Sequence, residues 1–245
     1  AFATRRGTLQ HARMLRRHAL SAAFALAAWV HLPGCSAETE LHRDEFSGAL
    51  SRWVVEQMPG GTVTVREGAL EIEDAEGCTV WFREKLTAPF VITYETTFLA
   101  AGGPHDRVSD MNCFWLAADP GAPDGCPFAP GHGRSGRFAD YDSLRTYYVG
   151  YGGNENSTTR FRRYGGDGSK PLLAGHDLSD KKFMLEAHKP YQVRIEAHPD
   201  GRVRYLRDGE VVFAWRDPAP LTSGWFGFRT VKSHQRIRNF RVLQP

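Results

Sequence analysis

The sequence predicts an all-β protein folded as a two-sheet antiparallel β-sandwich. After residue 50, short aromatic and β-branched runs follow one another, each bounded by Gly, Pro, Asp or Asn. The 25 glycines and 14 prolines supply the turns that such a chain needs. No amphipathic segment of helix length interrupts the pattern, and no repeat occurs at the length of a propeller blade, so a sandwich is favoured over a propeller.

Fourteen strands are predicted, and two tight hairpin turns join three of them in succession. Asp200-Gly201 and Asp208-Gly209 each separate two alternating runs, which is typical of two-residue hairpin turns. The predicted strands are 53–57, 62–66, 69–73, 78–84, 90–99, 111–118, 145–151, 159–164, 183–187, 190–198, 202–207, 210–215, 224–230 and 236–243.

The hairpin formed by residues 145–164 is the most informative stretch. Its connection, Gly152-Gly-Asn-Glu-Asn-Ser157, consists of residues that tolerate positive φ. Four arginines and four tyrosines occur within these twenty residues, too many for a hairpin that is buried on both faces. We therefore expect one face of this strand pair to be wet and functional.

Residues 1–35 have the composition of an export leader. Five arginines precede an apolar run of 12 residues, Ala19 to Val30, which is too short to span a bilayer but suits a signal peptide. Leu32-Pro-Gly-Cys35 resembles a bacterial lipobox, which would give an outer-membrane or periplasmic lipoprotein; the alternative is conventional cleavage a few residues later and a periplasmic or secreted protein. The remaining residues, 36–245, are predicted to form a single domain, which we expect to be monomeric and to contact a membrane only through such an anchor.

Removing the leader changes the charge. The whole chain has a net charge of +3, but residues 36–245 carry 26 Lys and Arg against 28 Asp and Glu, a net charge of −2. Composition therefore gives no indication of a nucleic-acid partner. Three cysteines follow the predicted leader: Cys78, Cys113 and Cys126. Their spacing is compatible with a Cys113–Cys126 disulfide and equally with three reduced thiols. It does not match the spacing of a zinc site.

The longest irregular stretch is 119–144, rich in Pro, Gly and aromatic residues. A loop of this length in a compact domain is usually functional or disordered. Its prolines and aromatics predict an ordered flap over one end of a groove.

Six segments between residues 44 and 243 carry a resemblance to a known family: Asp44-Glu-Phe-Ser47, Asp110-Met-Asn-Cys-Phe-Trp115, Tyr147-Tyr-Val-Gly-Tyr151, Tyr191-Gln-Val-Arg-Ile-Glu196, Gly227-Phe-Arg-Thr-Val231 and Ile237-Arg-Asn-Phe-Arg-Val242. Together they resemble the concanavalin A-like lectin/glucanase jelly rolls of bacterial polysaccharide degradation, and more narrowly the YesU-type, polysaccharide lyase-like proteins of rhamnogalacturonan utilisation. The resemblance implies a carbohydrate chain bound on one sheet, with the second sheet behind it. A Ca²⁺ between the sheets is also implied by such sandwiches, with Asp44, Glu45 and Asp208 as candidate ligands; no cofactor follows from the residues themselves.

Alternation along strands assigns residues to faces. If Phe161 faces the core, Arg160, Arg162 and Tyr164 face outward; if Phe226 and Phe228 face the core, Trp225 and Arg229 do not. Parity alone leaves open which of the neighbours Tyr147 and Tyr148 is accessible. The predicted substrate-binding residues are Asp110, Asn112, Arg145, Tyr147, Arg160, Arg162, Arg163, Tyr164, Trp225 and Arg229.

These residue types suit β-elimination from a uronate polysaccharide. The reaction needs a neutralised substrate carboxylate, which Arg and Asn provide, and a Tyr or His for proton transfer. The predicted catalytic residues are Tyr148, Tyr151, His105 and His234, with the arginines expected to favour the tyrosinate form. We therefore predict an exported polysaccharide lyase.

Two other functions stay open. A retaining glucanase needs two carboxylates about 5 Å apart, and the sequence lacks the Glu-x-Asp-x-x-Glu pattern, although Asp106 or Asp110 paired with Glu155 offers a substitute. A non-catalytic glycan-binding lipoprotein would use the same tyrosines and arginines without proton transfer. Taken singly, each tyrosine also has a plain packing explanation, and the arginines one as a charged sheet edge.

Overall fold

A computed structural model describes residues 38–245, and the predicted leader lies outside the described residues. The described chain is built from sixteen strands and four single helical turns, at Pro123–Gly125, Phe138–Tyr141, Gly153–Asn156 and Lys181–Phe183. The strands are β1 (Thr39–Asp44), β2 (Trp53–Gln57), β3 (Thr62–Arg66), β4 (Ala69–Glu73), β5 (Cys78–Phe82), β6 (Leu86–Thr87), β7 (Phe90–Phe98), β8 (Asn112–Ala118), β9 (Arg145–Gly152), β10 (Thr158–Gly165), β11 (Leu172–Leu178), β12 (Pro190–Ala197), β13 (Arg202–Arg207), β14 (Glu210–Arg216), β15 (Ser223–Thr230) and β16 (His234–Gln244).

The strands form two antiparallel sheets, as predicted for a β-sandwich. Sheet A has the order β14-β13-β12-β7-β16-β4-β3, with β1 beside the second half of β16. Sheet B has the order β11-β10-β9-β8-β15-β5-β2, with the short β6 paired to the start of β15. Within residues 38–245, no helix is long and apolar enough to cross a membrane.

The core lies between the sheets and is largely aromatic. Trp53 stacks on Phe228 with ring centroids 5.3 Å apart, and Trp115 stacks on Phe161 at 5.6 Å. Phe161 and Phe228 are both buried here, which confirms the face assignments made from alternation. Burying an aromatic side chain of this kind contributes roughly 1.5–3 kcal/mol.

The strand predictions were wrong at residues 183–187 and missed β1, β6 and β11. Residues 183–187 form no strand, because the backbone N–H and C=O of Leu185 bond instead to the side chain of Asn156, each at 2.8 Å. In contrast, 172–178 is the edge strand β11, whose mostly exposed and mixed side chains give no alternation to detect. β1 was also missed, since its side chains are mainly charged and exposed.

The predicted turns have the expected backbone. Gly152, Asn154, Glu155 and Asn156 all have positive φ between β9 and β10, and Asp208 and Gly209 do so between β13 and β14. The polar hairpin connections therefore follow the rule that only residues tolerant of the left-handed region occupy such turns.

A second apolar cluster lies on the outer face of sheet B. It combines strand residues with two residues of the 119–144 stretch, which we call the flap: Trp81, Phe114, Ala117, Tyr141, Leu144, Tyr148, Tyr164 and Trp225. Flap residue Tyr141 stacks on Phe114 at 5.5 Å. The flap is thus ordered and covers part of this face, as the sequence predicts, while the rest of the face is open.

Buried polar contacts fix the flap. Glu56 on β2 accepts hydrogen bonds from Trp81 Nε1 (2.8 Å), Tyr141 Oη (2.8 Å) and the backbone N–H of Arg134 (2.7 Å). Arg134 donates to Asp119 at 2.8 Å and to the carbonyl oxygens of Pro127 and Asp140. No disulfide contributes within the described residues: Cys113 faces the core between the sheets, whereas Cys126 packs against the cluster on the opposite face.

Candidate functional site

A cleft of about 480 Å³ opens on the outer face of sheet B, beside the flap. We call it the Tyr148 cleft. β9 and β10 supply its floor, the turn Gly153–Asn156 and the segment before β8 one end, and Phe138 of the flap the other. Its lining residues are Arg107, Asp110, Phe138, Tyr148, Gly150, Gly153, Asn154, Glu155, Thr158, Arg160, Arg162, Tyr164, Lys170 and Val231. Five of the predicted site residues are among them: Asp110, Tyr148, Arg160, Arg162 and Tyr164.

Tyr148 belongs to the cleft floor, where 6% of its surface is exposed. Its ring packs against Phe114 at 5.0 Å, Tyr164 at 5.6 Å and Phe138 at 5.6 Å. Gly150 is next to it on the same face of β9, and a Cβ at this position would lie 3.2 Å from the Tyr148 hydroxyl. The absence of a side chain at Gly150 therefore leaves space beside the hydroxyl group.

Asp110 is the buried carboxyl of the cleft. It has a φ of +65° and accepts hydrogen bonds from Ser109 Oγ (2.7 Å), Arg107 Nη2 (3.0 Å) and Asn112 Nδ2 (3.1 Å). Burial raises the pKa of Asp110 above its usual range, and these donors oppose the rise without cancelling it. A carboxyl with a raised pKa exchanges protons nearer to neutral pH than an exposed one does.

Arg107 brings a second carboxylate close to Asp110. Its Nη1 atom lies 3.7 Å from Glu155 Oε1, while Nη2 bonds to Asp110. Glu155 is 83% exposed at its side chain and has a φ of +58° in the turn between β9 and β10. One guanidinium group therefore contacts one buried and one solvated carboxyl.

Three cations form the β10 side of the cleft. Arg160 makes a two-point contact with Asp177, Arg162 Nη1 donates to the carbonyl oxygen of Lys170, and Lys170 Nζ lies 2.7 Å from Asp142. Neither guanidinium uses all five of its N–H donors in these contacts. With Arg107, the lining carries four cations against the two carboxyls of Asp110 and Glu155.

A fifth cation, Arg229, lies buried beside the cleft with 1% of its surface exposed. Its guanidinium packs over the rings of Phe138 and Tyr141 and donates to the carbonyl oxygen of Gly136. Within the described residues it forms no salt bridge, and its Nε and Nη2 atoms are buried without partners. Burying a charge without a counterion is costly, which makes Arg229 a candidate functional residue.

The positive charge of Arg229 affects the pKa values of groups in the cleft. It opposes the rise of the pKa at Tyr148, Tyr164 and Asp110 alike. On β8, Asn112 is the cross-strand partner of Arg229 and has a buried Oδ1 without a hydrogen-bond partner. The predicted residues Asn112 and Arg229 thus lie together beside the cleft, although neither contributes to its surface.

The tyrosine pKa prediction was wrong in direction. Burial raises the pKa of Tyr148 well above its usual range, Tyr164 and Asp110 raise it further, and Arg229 offsets only part of the effect. Burial also raises the pKa of Tyr151 against the opposing influence of Arg207. Counting nearby arginines missed the larger effect, which is desolvation of the phenolate.

Two of the predicted tyrosines lie between the sheets and away from the cleft. Tyr147 donates to Asp217 Oδ2 at 2.7 Å, and Tyr151 contacts Arg207 and Tyr205 in the interior. Arg163 is bound to the same Asp217 oxygen at 2.7 Å, and Arg145 lies beside it in a separate surface depression. Trp225 is on the correct face of sheet B but packs under the flap against Phe128.

The two predicted histidines also lie outside the cleft. His105 lines a neighbouring cavity and contacts the carbonyl oxygen of Gly60 at 3.1 Å. His234 is held between two carboxylates, with Nδ1 2.8 Å from Asp106 and Nε2 3.1 Å from Glu71. The structure does not bring either histidine together with Tyr148.

Sequence reasoning missed Arg107, Phe138 and Lys170 as site residues. All three come from segments without strand character, so alternation says nothing about where they point. The one available signal was the position of Arg107 three residues before Asp110, a spacing at which opposite charges often pair. Glu56 was missed because the flap that buries it comes from a distant part of the chain.

The candidate calcium ligands have protein partners. Asp44 accepts hydrogen bonds from the N–H of Phe46 and from Trp53 Nε1, and Asp208 accepts from the N–H of Gln192. Glu45 bonds to Arg43 and Arg241. No group of three or more metal-binding side chains occurs among residues 38–245, and the calcium site stays a prediction.

Comparison with solved structures identifies the type of fold. The structure is similar to a protein of unknown function with a galectin-like fold from Bacillus subtilis, with a TM-score of 0.62, 19% identity and coverage of 85% of this chain and 98% of that chain. It is also similar to the carbohydrate-binding module CBM66 from Bacillus subtilis, with a TM-score of 0.53, 12% identity and coverage of 79% and 96%. A β-1,3-1,4-glucanase (lichenase) from a mouse hindgut metagenome gives a TM-score of 0.52, 13% identity and coverage of 83% and 98%. At these identities the similarity establishes a lectin/glucanase-type jelly-roll fold.

The family follows from the sequence itself. Residues 72–240, well over half of the chain, match the model of the family described as Domain of unknown function (DUF6250), and the chain belongs to that family. No curated protein matches the sequence.

Proposed function

We propose that this protein is a carbohydrate-active enzyme that binds an acidic polysaccharide in the Tyr148 cleft and cleaves it by β-elimination. The observation that carries the proposal is the cluster of cationic groups around a buried Tyr–Asp pair, including a buried arginine that forms no salt bridge within residues 38–245. This cluster belongs to a domain whose net charge is −2. A uronate carboxylate supplies the matching charge. The narrower relation to YesU-type proteins and the export of the chain as a lipoprotein or secreted protein remain predictions.

The cationic side chains would bind the substrate carboxylate and neutralise its charge. Arg160 and Arg162 line the cleft, use only some of their N–H donors in protein contacts and would bind the uronate carboxylate, and the positive charge of Arg229 would add to its neutralisation. Neutralising that carboxylate acidifies the C5–H bond next to it, because the negative charge that develops on proton removal spreads into the carboxyl group.

The proton transfers follow from the two pKa directions. Asp110, as carboxylate, would take the C5 proton; the C5–H electron pair forms the C4–C5 double bond while the C4–O bond breaks. Tyr148, which burial keeps in the phenol form, would donate its proton to the leaving oxygen. Return of the proton from Asp110 to Tyr148 through solvent regenerates both groups. The raised pKa of Tyr148 thus supports a role as acid instead of the tyrosinate base expected from the sequence.

One specific observation favours a second function, glycoside hydrolysis. Asp110 and Glu155 contact the two ends of one guanidinium group, so the two carboxyls lie in one cleft, as an acid and a base must. The raised pKa of Asp110 suits the acid and the exposure of Glu155 suits the base. A third outcome is a glycan-binding protein without catalysis.

A single assay separates the three functions. The purified domain is incubated with a panel of uronate polysaccharides and neutral β-glucans while the ultraviolet absorbance of unsaturated uronates and the release of reducing ends are followed. Both signals together establish elimination. Reducing ends without absorbance establish hydrolysis, and retention of the glycan without either signal establishes binding alone.

Variants assign the residues. Tyr148→Phe should abolish the absorbance signal, and Asp110→Asn should do the same; Tyr205→Phe is the matched control, because it removes a buried hydroxyl without a partner in the interior of the sandwich. Glu155→Gln should leave elimination intact but abolish hydrolysis. Full elimination activity in Tyr148→Phe would refute the proposed acid.

A further inference from the structure

A second cavity adjoins the Tyr148 cleft. It has a volume of about 410 Å³ and is lined by short or polar residues, among them Gly103, His105, Asp106, Arg107 and Lys232. We call it the His105 cavity. Arg107 lines both spaces, and the consecutive residues Val231 and Lys232 line one each. The two spaces therefore adjoin at Arg107 and near the Val231–Lys232 peptide.

The border is structurally fixed. Arg107 Nη2 donates to the carbonyl oxygen of Val231 at 2.6 Å as well as to Asp110, which ties the 101–110 segment to the end of β15. Arg107 Nε is buried without a partner at this point. An extended ligand in the Tyr148 cleft would therefore pass a guanidinium group before it enters the second cavity.

The free charges of the His105 cavity are cationic. Asp106 is the one carboxyl in its lining, and its oxygens already accept the N–H groups of Ala101 (2.7 Å) and Gly103 (2.9 Å) and face His234 Nδ1. The Lys232 ammonium lies 4.0 Å from Glu76, and the Lys232 backbone N–H donates to Asp74 Oδ2 at 3.0 Å. The lining has no large apolar side chain, so a polar, anionic ligand suits it better than an apolar one.

From this arrangement we infer that the His105 cavity is a second saccharide subsite, which binds the next acidic residues of the chain held in the Tyr148 cleft. The inference rests on the proposed function and adds to it that the substrate is an extended oligouronate lying across Arg107. Lys232 and His105 bind substrate at a distance from the reacting bond. They therefore determine preference for chain length without taking part in proton transfer.

The test compares ligands of two lengths. Binding of an oligogalacturonate and an oligoalginate series, each including a disaccharide and a long oligomer, is measured by calorimetry with the catalytically inactive Tyr148→Phe domain. The long oligomers should bind more tightly than the disaccharides. In the His105→Ala/Lys232→Ala variant, also carrying Tyr148→Phe, the affinity for long oligomers should fall about tenfold, while the disaccharide affinity changes less than about twofold.

The controls distinguish failure of the second subsite from failure of the proposed function. Arg216→Ala, which removes a surface cation from β14 on sheet A, should alter neither affinity, and unchanged thermal unfolding would show that the double variant is folded. Equal binding of both lengths by the Tyr148→Phe domain, or equal loss of both in the double variant, would overturn the second subsite while leaving the proposed function standing. Absence of binding to either series would refute both.

Discussion

The two sheets present outer faces of opposite character. On sheet A, charged side chains pair with one another: Arg194 Nε lies 2.8 Å and Arg204 Nη1 3.0 Å from the two oxygens of Glu196, and Arg236 Nε lies 2.6 Å from Glu71. On sheet B, the outer face is aromatic and covered in part by the flap, and the cleft cations Arg160 and Lys170 pair with Asp177 and Asp142. Sheet B differs in also containing a buried cation, Arg229, that forms no salt bridge within residues 38–245.

The pKa values of buried and partly buried carboxyl groups also differ between the two sheets. Partial burial acts to raise the pKa of Glu71 and Glu196, but arginine contacts outweigh it and the pKa of each lies below its usual value. Burial prevails at Glu56 and Asp110, whose pKa values are raised despite several donors. Charged residues alone therefore do not locate a site; the decisive difference is whether their partners are already present.

The largest expected effect concerns Arg229. Arg229→Met should weaken binding of the acidic glycan by about tenfold or more, because it removes the buried charge near the cleft. Unfolding stability should change little, since an apolar side chain of similar length replaces an unpaired buried cation. Calorimetric binding and thermal unfolding measure the two effects. Arg236→Met on sheet A is the matched control. An equal loss of glycan affinity in this variant would show that the two faces do not differ in glycan binding.

Glu56 should show the next largest effect, on stability. Glu56→Ala leaves the buried donors of Trp81 and Tyr141 without an acceptor, which costs about 2–3 kcal/mol in the free energy of unfolding. Denaturant unfolding provides the measurement. The flap should also become more susceptible to proteolysis between residues 119 and 144, and a flap that stays resistant would show that Glu56 does not hold it.

The pH dependence of stability should have opposite signs on the two faces. Because the pKa of Glu56 is raised in the folded state, the folded protein binds more protons than the unfolded chain above pH 4.5, and stability falls as the pH rises through the raised pKa. Glu56→Gln should remove this decline. At Glu71 the pKa is lowered, so its contribution is present above pH 4.5 and is lost as the pH falls through the lowered value. Unfolding curves recorded across the acid range for Glu56→Gln and Glu71→Gln test both signs.

The smallest effect is expected for the ion pairs of Glu196 with Arg194 and Arg204 on sheet A. Glu196→Ala should change the free energy of unfolding by about 1 kcal/mol or less, since both arginines are partly exposed and their charges are solvated and screened. Added salt should reduce the difference further. A loss as large as that of Glu56→Ala would mean that the two faces do not differ in the way their contacts indicate.

Much of the fold was predictable because sandwich strands are short and their turns are explicit. Alternation placed Phe161, Phe226 and Phe228 in the core and Arg160 and Arg162 on the outer face. It failed at β11, whose side chains are mixed and mostly exposed, and at Leu185, whose backbone is satisfied by the Asn156 side chain. Local pattern thus defines strands that bury one face and misses those that do not.

The site was predictable only in part. The sequence indicated the hairpin of β9 and β10, yet parity left Tyr147 and Tyr148 equivalent, because both faces of sheet B are buried around them. Which one borders open space depends on where the flap stops, a property of tertiary packing. Arg107 and Lys170 reach the cleft from irregular segments, and no periodic signal describes those.

The positions of β15 and β16 in the sheets also affect how the protein folds during synthesis. β15 lies between β8 and β5 at the middle of sheet B, and β16 lies between β7 and β4 at the middle of sheet A. Neither sheet can therefore be completed until residues 223–244 have left the ribosome. Until then, both sheets of the nascent chain are incomplete and have unpaired strand edges. Such long-range pairing slows folding and exposes the chain to aggregation. Yield of native protein should accordingly depend more on chaperone supply and translation rate than on the stability of the finished domain.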